Sequence, residues 1–367
     1  MGKTAIDLYN PKQMEDSIWW ILILSFSPQA RPISSKMVDP SGFSVRPPKS
    51  SEEIKSLWWP SMQSLGWNRS DKDHPTHWQS SRGKYIVLTH KEPSSSEEEE
   101  KAVGIILPIT YPNKTGWVGF FVVNEAYRGT GGGGSLLFQA ALDEFARQGA
   151  ERVGLDGVLQ QVGTYGRRGF VEKGRVKLMV MKKVKELEVP SSAGAEKGDG
   201  DDTPLIKALR DVQPAALVAA DEKATGLRRT HLWTKELLVE REDAWGFAAV
   251  KEGGGGGEVT GFVLVRSCEH GYRVGPLYAP NRDLASTLLL RAMQTIKGFG
   301  AAAAEKSLVA EAWGENPVAV ETFEGLGWEY SGMDYARMWL NGEETEAQKK
   351  GGVAEREVFA WFDAGEG

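Results

Sequence analysis

Apolar residues early in the chain recur at helical spacing. Ile54, Leu57, Trp58, Met62 and Leu65 fall on one face, and Ser50 followed by Glu53 supplies a capping box ahead of them. The period predicts an amphipathic helix that Pro60 should kink or divide. The pattern then changes to short apolar runs of strand length: KYIVLTH from Lys84, AVGIILPIT from Ala102 and GWVGFFVV from Gly116. A glycine cluster follows, then a helical period from about Ser135 to Arg147 and a strand at RVGLDG from Arg152. Polar inserts at 92–101 and 252–257 each separate two strand-like runs and read as hairpins with expanded loops.

The runs repeat. KAVGIIL around Gly104 returns as EVTGFVL around Gly261, WVGFFVV around Gly119 as RVGPLYA around Gly275, and YGRRGF from Tyr165 as FEGLGW from Phe323. The three anchors share nearly one offset, which implies a duplicated fold. The expected organisation is an N-terminal segment over 1–40, a first domain over 41–187, a small polar and acidic linker over 188–203, a second domain over 204–345 and a tail over 346–367. The expected class is α/β in the α+β sense, each domain being a mixed, mostly antiparallel sheet flanked by helices.

Composition narrows the function classes. Net charge is −6, and basic clusters interleaved with aromatics are lacking, so nucleic acid is not an expected partner. Cys268 is the single cysteine, which excludes an intrachain disulfide framework or cysteine-based zinc site, and no metal is expected. The apolar run Ser17–Phe26 is about half a membrane span and follows Glu15 and Asp16, so neither membrane nor signal role is expected and the cytoplasm is the expected location.

The stretch RGTGGGGSLL admits two readings. Gly129, Gly131 and Gly134 fit the G-x-G-x-x-G turn of a dinucleotide-binding domain, with Asp156 downstream for a ribose. Arg128, Gly131 and Gly133 fit the R-x-x-G-x-G pyrophosphate loop of acetyl-coenzyme A transferases. A dinucleotide turn follows the first strand of a parallel unit, whereas this loop follows an antiparallel meander, and that order favours the second reading. Closely spaced glycines let backbone N–H groups approach phosphate, the helix start adds its positive end, and Arg128 adds charge.

With those residues in view the chain resembles the GNAT family of N-acetyltransferases. Val123, Arg128, Gly129, Gly131 and Gly133 match the family's cofactor motif, with Glu125 where proline is usual; Tyr165, Gly169 and Phe170 match a later motif. More narrowly it resembles a tandem subfamily, through Gly66, Trp67, Asn68 and Asp71 or Asp73, then Leu155, Asp156, Gly157 and Gln161. In the second half Asp221, Gly226, Arg229, Gly275, Pro276, Ala279, Arg337 and Met338 stand at the subfamily's positions.

The resemblance implies acetyl-coenzyme A as co-substrate, held by Val122, Val123, Arg128, Gly129, Thr130, Gly131, Gly132, Gly133, Gly134 and Ser135, and a small primary amine or amino-acid-like acceptor receiving the acetyl group directly. Tyr165 is implied as the acid that protonates the leaving sulfur. Asp156 is a candidate base, as are Asp71, Asp73 and His74; Trp67, Asn68, Asp71, Asp73, Asp221 and Arg229 are candidate acceptor contacts. The second half has Phe323 where the tyrosine stands and PLYAPNRDLAS in place of the glycine loop, so it reads as a degenerate transferase domain. The rival reading is a non-catalytic acyl-coenzyme A binding or sensing scaffold, and the oligomeric state is left open.

Overall fold

The computed structural model describes residues 42–91, 100–129, 131–184, 204–236, 241–251 and 257–367. The apolar run Ser17–Phe26, the linker at 188–203 and Thr130 lie outside the described residues.

The first half contributes strands β1 (Phe43–Arg46), β2 (Ile86–His90), β3 (Lys101–Thr110), β4 (Thr115–Val123), β5 (Arg152–Val158) and β6 (Phe170–Met181). The second contributes β7 (Leu205–Ala208), β8 (Ala244–Lys251), β9 (Glu258–Cys268), β10 (Gly271–Tyr278), β11 (Leu308–Trp313), β12 (Glu329–Leu340) and β13 (Val358–Ala360). Helices used below are α1 (Ser51–Ser64), α2 (Asp73–Ser80), α3 (Gly133–Gln148), α4 (Val162–Gly166), α5 (Pro214–Thr225), α6 (Arg282–Gly298) and α7 (Pro317–Gly325).

The first helix begins where the capping residue places it. Ser50 Oγ accepts from Glu53 N at 3.2 Å, but the reciprocal arm differs from a capping box: the Glu53 carboxylate takes Lys49 N at 2.6 Å and the Arg46 guanidinium. Pro60 does not divide α1, which buries Ile54, Trp58 and Met62 against one face of the first-half sheet. The opposite face carries α3 through Leu137, Phe138, Ala141 and Phe145. Each of the larger side chains contributes about 1.5–3 kcal/mol of burial. Both hairpins around the inserts form, β2 with β3 and β8 with β9, each antiparallel.

All thirteen strands form one sheet, in the order β1-β2-β3-β4-β5-β12-β6-β11-β13-β10-β9-β8-β7. The closing strands are exchanged between the halves. β12 lies antiparallel between β5 and β6, with Arg337 opposite Asp156 on one side and Gly174 on the other. β6 in turn pairs with β11, from Leu308 opposite Met181 to Trp313 opposite Val176.

Each half also contains a parallel pair that opens after three residues. β4 pairs with β5 over Thr115–Trp117 and Arg152–Gly154. β10 pairs with β11 over Tyr272–Val274 and Leu308–Ala310. In the second half β13 enters the opening, Ala360 facing both Leu277 and Ala312. In the first half no described strand does so.

Residues 361–367 continue from β13 into the seam between the halves, where Asp363 is fully buried. Its Oδ2 lies 2.9 Å from Arg69 Nη1 and 3.3 Å from Arg266 Nη2, one cation from each half. Asp73 sits beside them, 3.3 Å from Arg266 and 3.0 Å from Arg241. Burial pushes the Asp363 carboxyl up, but Arg69 and the neighbouring cations outweigh it and hold the group well below its ordinary value. Asp73 is likewise held low, Arg266 and Arg241 overcoming burial.

Both carboxyls are depressed in the folded chain, so their stabilisation is complete above the unfolded value of about 4 and is lost as the pH falls below it. The urea midpoint should therefore drop steeply under pH ~4. Asp363→Asn removes the carboxylate that pairs with buried Arg69 and leaves Arg266 with Asp73 alone, so it should cost about 3–5 kcal/mol at neutral pH and flatten the acid limb. Denaturation midpoints between pH 3 and 7 test both; an unchanged neutral-pH midpoint in the variant would refute the seam's role.

Candidate active site

β4 carries the irregularity that the site is built on. Its register against β3 passes from Val122 opposite Ile105 to Gly119 opposite Leu107, so Phe120 and Phe121 together face the single Ile106. Phe120 has a left-handed backbone, φ 46°. A bulge of this kind bends the strand and turns backbone groups away from the ladder. β4 has already left β5 after Trp117, and the space between the two strands is a cavity of about 350 Å³.

One end of the cavity is the glycine loop. After β4, Asn124 caps a short turn by accepting from Ala126 N at 3.1 Å, and Arg128 Nε donates to Val123 O at 2.8 Å, folding the loop back on the strand. Gly129, Gly131 and Gly132 all take positive φ, and Gly132 then serves as the N-cap of α3. Side chains resist that conformation, which explains the residue choice. A Cβ on Gly133 would approach the Phe43 ring to 2.8 Å, so the helix start is packed tightly over β1. The result is a run of amide groups with the positive end of a four-turn helix behind them, a site suited to phosphate. Arg168 adds a second cation: it donates to Thr164 O at 2.8 Å and Ser135 Oγ at 3.2 Å, with burial pulling its pKa down.

Tyr165, on α4, lines the middle of the cavity against Phe138 and Phe170. Burial pushes its phenol up to about 12, so it carries its proton at any neutral pH. Asp156 reaches the same wall, but both oxygens are engaged by Arg337, at 2.8 and 2.6 Å. Burial pushes the Asp156 carboxyl up, against the opposing pull of Arg337.

Of the loop residues singled out from sequence, Val122, Val123, Arg128, Gly129, Gly132, Gly133, Gly134 and Ser135 line the cavity, while Gly131 forms the turn beside them. Of the residues singled out as candidate acceptor contacts, only Trp67 lines it. Asn68 instead ties the halves together, its Oδ1 accepting from His270 N at 2.9 Å. Asp71 is half exposed and pairs with Lys55, and Asp73 belongs to the seam. His74 packs between Trp58 and Trp78 with burial holding its pKa down to about 4.

Asp221 and Arg229 do not meet the cavity. They form a closed buried pair that also engages Tyr278 OH, and Arg229 Nη1 further donates to the main-chain oxygens of Glu366 and Gly367. Every charge there is answered within the chain, which makes it a structural pair. What sequence reasoning missed is the charged lining Arg69, Arg168, Arg273 and Glu311. A signal existed for two of them: Arg273 and Glu311 interrupt otherwise apolar strands, GYRVGPLY and LVAEAW.

In the second half, Phe323 is fully buried against Trp328, and β13 occupies the opening that corresponds to the cavity. Among the described residues, no group of His, Cys, Asp and Glu could hold a metal ion, and no helix is long and apolar enough to cross a membrane.

Comparison with known proteins agrees with this architecture. Residues 51–170 match the family model described as acetyltransferase (GNAT) family, and residues 217–350 match the model described as acetyltransferase (GNAT) domain. The holothin acyltransferase of Pseudoalteromonas sp. (strain SANK 73390) is 27% identical over 197 residues, covering 54% of this chain and 59% of that protein. The chain thus spans less than two thirds of that relative's length.

Two solved structures share the fold. A Pyrococcus horikoshii protein solved as a candidate acetyltransferase superposes with a TM-score of 0.62 at 20% identity, over 89% of this chain and 96% of that one. The tandem GNAT protein from the clavulanic acid biosynthesis pathway gives 0.53 at 13% identity, over 81% and 98%. Two matched domains, joined through exchanged strands and differing in whether the opening between their parallel strands is free, place this chain in the GNAT acetyltransferase family in its tandem form.

Proposed function

We propose that this acyltransferase is an acetyl-coenzyme A-dependent N-acetyltransferase that moves an acetyl group directly to a primary amine of a small molecule. The observation that carries the reading is the continuous cavity that begins at the glycine loop, passes the β4 bulge and Tyr165, and ends at Trp67. Its donor end fits the proposed co-substrate: a loop of left-handed glycines, a helix N-terminus and the guanidiniums of Arg128 and Arg168 suit a pyrophosphate.

When bound, acetyl-coenzyme A supplies the activated acyl group as a thioester. The chain supplies the rest. The bulge at Phe120 and Phe121 frees main-chain amides on β4, and the N–H of Val122 or Val123 is assigned the role of polarising the carbonyl oxygen. The neutral phenol of Tyr165 is assigned as proton donor to the departing sulfur, and the proton that the attacking amine loses passes through solvent to restore the phenol. The cavity's position between two sheet strands and two helices limits competing water. The second half is assigned to the acceptor side, because its own opening is taken by β13.

Two substitutions test the assignment, with an amine screen that follows thiol release from acetyl-coenzyme A. A Cβ on Gly134 would find its nearest neighbours at 3.7 Å, so Gly134→Val leaves the fold intact while placing a branched side chain on the donor end. Calorimetry should show affinity for acetyl-coenzyme A reduced at least about tenfold, with little change in melting temperature, because the added methyls stand where backbone must meet phosphate. Wild-type affinity in the folded variant would displace the co-substrate from this loop.

Tyr165→Phe retains the ring and removes the proton. With any amine that the screen identifies, kcat should fall roughly 10²–10⁴-fold while the coenzyme A dissociation constant stays put. Wild-type turnover with chemistry limiting would assign the proton elsewhere. Coenzyme A binding without turnover of any amine would favour a sensing scaffold.

A further inference from the structure

The cavity lining holds a carboxylate that none of the steps above uses. Glu311, on β11 of the second half, lines the cavity yet is only 2% exposed. Its Oε1 accepts from Arg273 Nη1 at 2.6 Å. Its Oε2 is buried and has no hydrogen-bond partner. A carboxylate oxygen in that state forfeits its hydration without replacement, a condition that folded proteins rarely leave unanswered.

The surrounding charges do not answer it. Arg69 is engaged by Asp363, and Asp156 by Arg337. Taken together, the guanidiniums of Arg69, Arg241, Arg266 and Arg273 are matched by the carboxylates of Asp73, Asp243, Asp363 and Glu311, so the cluster presents no excess positive charge to an incoming cation. The lining that contains Glu311 also contains the aromatic side chains of Trp67, Phe120 and Tyr335. An anionic oxygen lacking a donor, in a cavity partly lined by aromatic rings, suits a ligand with an N–H⁺ group on an apolar body.

The geometry points to Glu311 Oε2 as the docking point for the acceptor's ammonium group, so that the second half supplies the specificity of the site whose donor end lies in the first. This rests on the reading of the cavity as an acetyl-coenzyme A and amine site, and it narrows the acceptor class to cationic primary amines with an apolar or aromatic carbon body.

The test needs no knowledge of the natural acceptor. S-(2-aminoethyl)-, S-(3-aminopropyl)- and S-(4-aminobutyl)-coenzyme A carry an ammonium past the sulfur to increasing depth, and S-alkyl conjugates of matching length carry none. Calorimetry on the full chain should show at least one amino conjugate binding about ten- to a hundredfold more tightly than its alkyl partner, the worth of a charge-assisted hydrogen bond. Glu311→Gln should erase that preference while leaving the alkyl conjugates at wild-type affinity, which also reports that the variant is folded.

Equal binding of every amino and alkyl pair by the wild-type protein would overturn the proposal, whatever the variant does; water then suffices for Oε2. A preference that survives in a folded Glu311→Gln variant would overturn it as well. Failure of the wild-type protein to bind any conjugate, or coenzyme A itself, would instead strike at the donor site, and so separates the two readings.

Discussion

The bidentate pair between Asp156 and Arg337 governs how the two halves are joined. Both side chains are withdrawn from water, and Arg337 also lies 3.6 Å from the Trp361 ring centroid and 4.8 Å from that of Trp117. Two desolvated charges must stay matched, since leaving either one alone in such surroundings costs about 3–5 kcal/mol. A shift of β12 by one residue would turn Arg337 to the other face of the sheet and abandon Asp156. The pair therefore fixes the register of the exchanged strand, and with it the place of Tyr335 at the cavity and the displacement of β6 onto β11.

From that shared framework the two halves diverge at one point. Each opens a parallel pair of strands, and opening exposes main-chain groups that must find partners. In the second half β13 enters and restores a ladder, and the site is closed by ordinary sheet chemistry. In the first half the opening persists beside a bulge, a glycine turn and a neutral buried phenol. The same fold yields a filled sheet in one copy and a cavity in the other, and the difference lies in three residues of strand, in the glycine loop that only the first copy has, and in the identity of Phe323 against Tyr165.

Much of this was legible in the residues. The repeat, both hairpins, the helix behind the glycine loop and the glycine-loop end of the cavity follow from periodicity and turn chemistry, both of which are local. Strand exchange was not legible, because alternation along β6 and β12 reports which face is buried and is silent about which neighbour lies alongside. The position of three polar residues away from the cavity was not legible for a related reason. Asp73, Asp221 and Arg229 have the residue types of a ligand contact, yet a buried structural pair uses the same types, and only geometry separates the two uses. Conversely, Glu311 lies within LVAEAW, where a charge in a fully buried strand was the one available sign.

The exchange of strands also bears on how the chain is made. During synthesis β5 emerges long before β12, and until Leu340 has been added the first half has neither its neighbour at β5 nor the pairing that will seat β6. An unpaired central strand is an adhesive edge, open to a wrong partner on another nascent chain. The first half therefore cannot complete its sheet before the second has been made, and closing that sheet depends on pairing between strands far apart in the sequence.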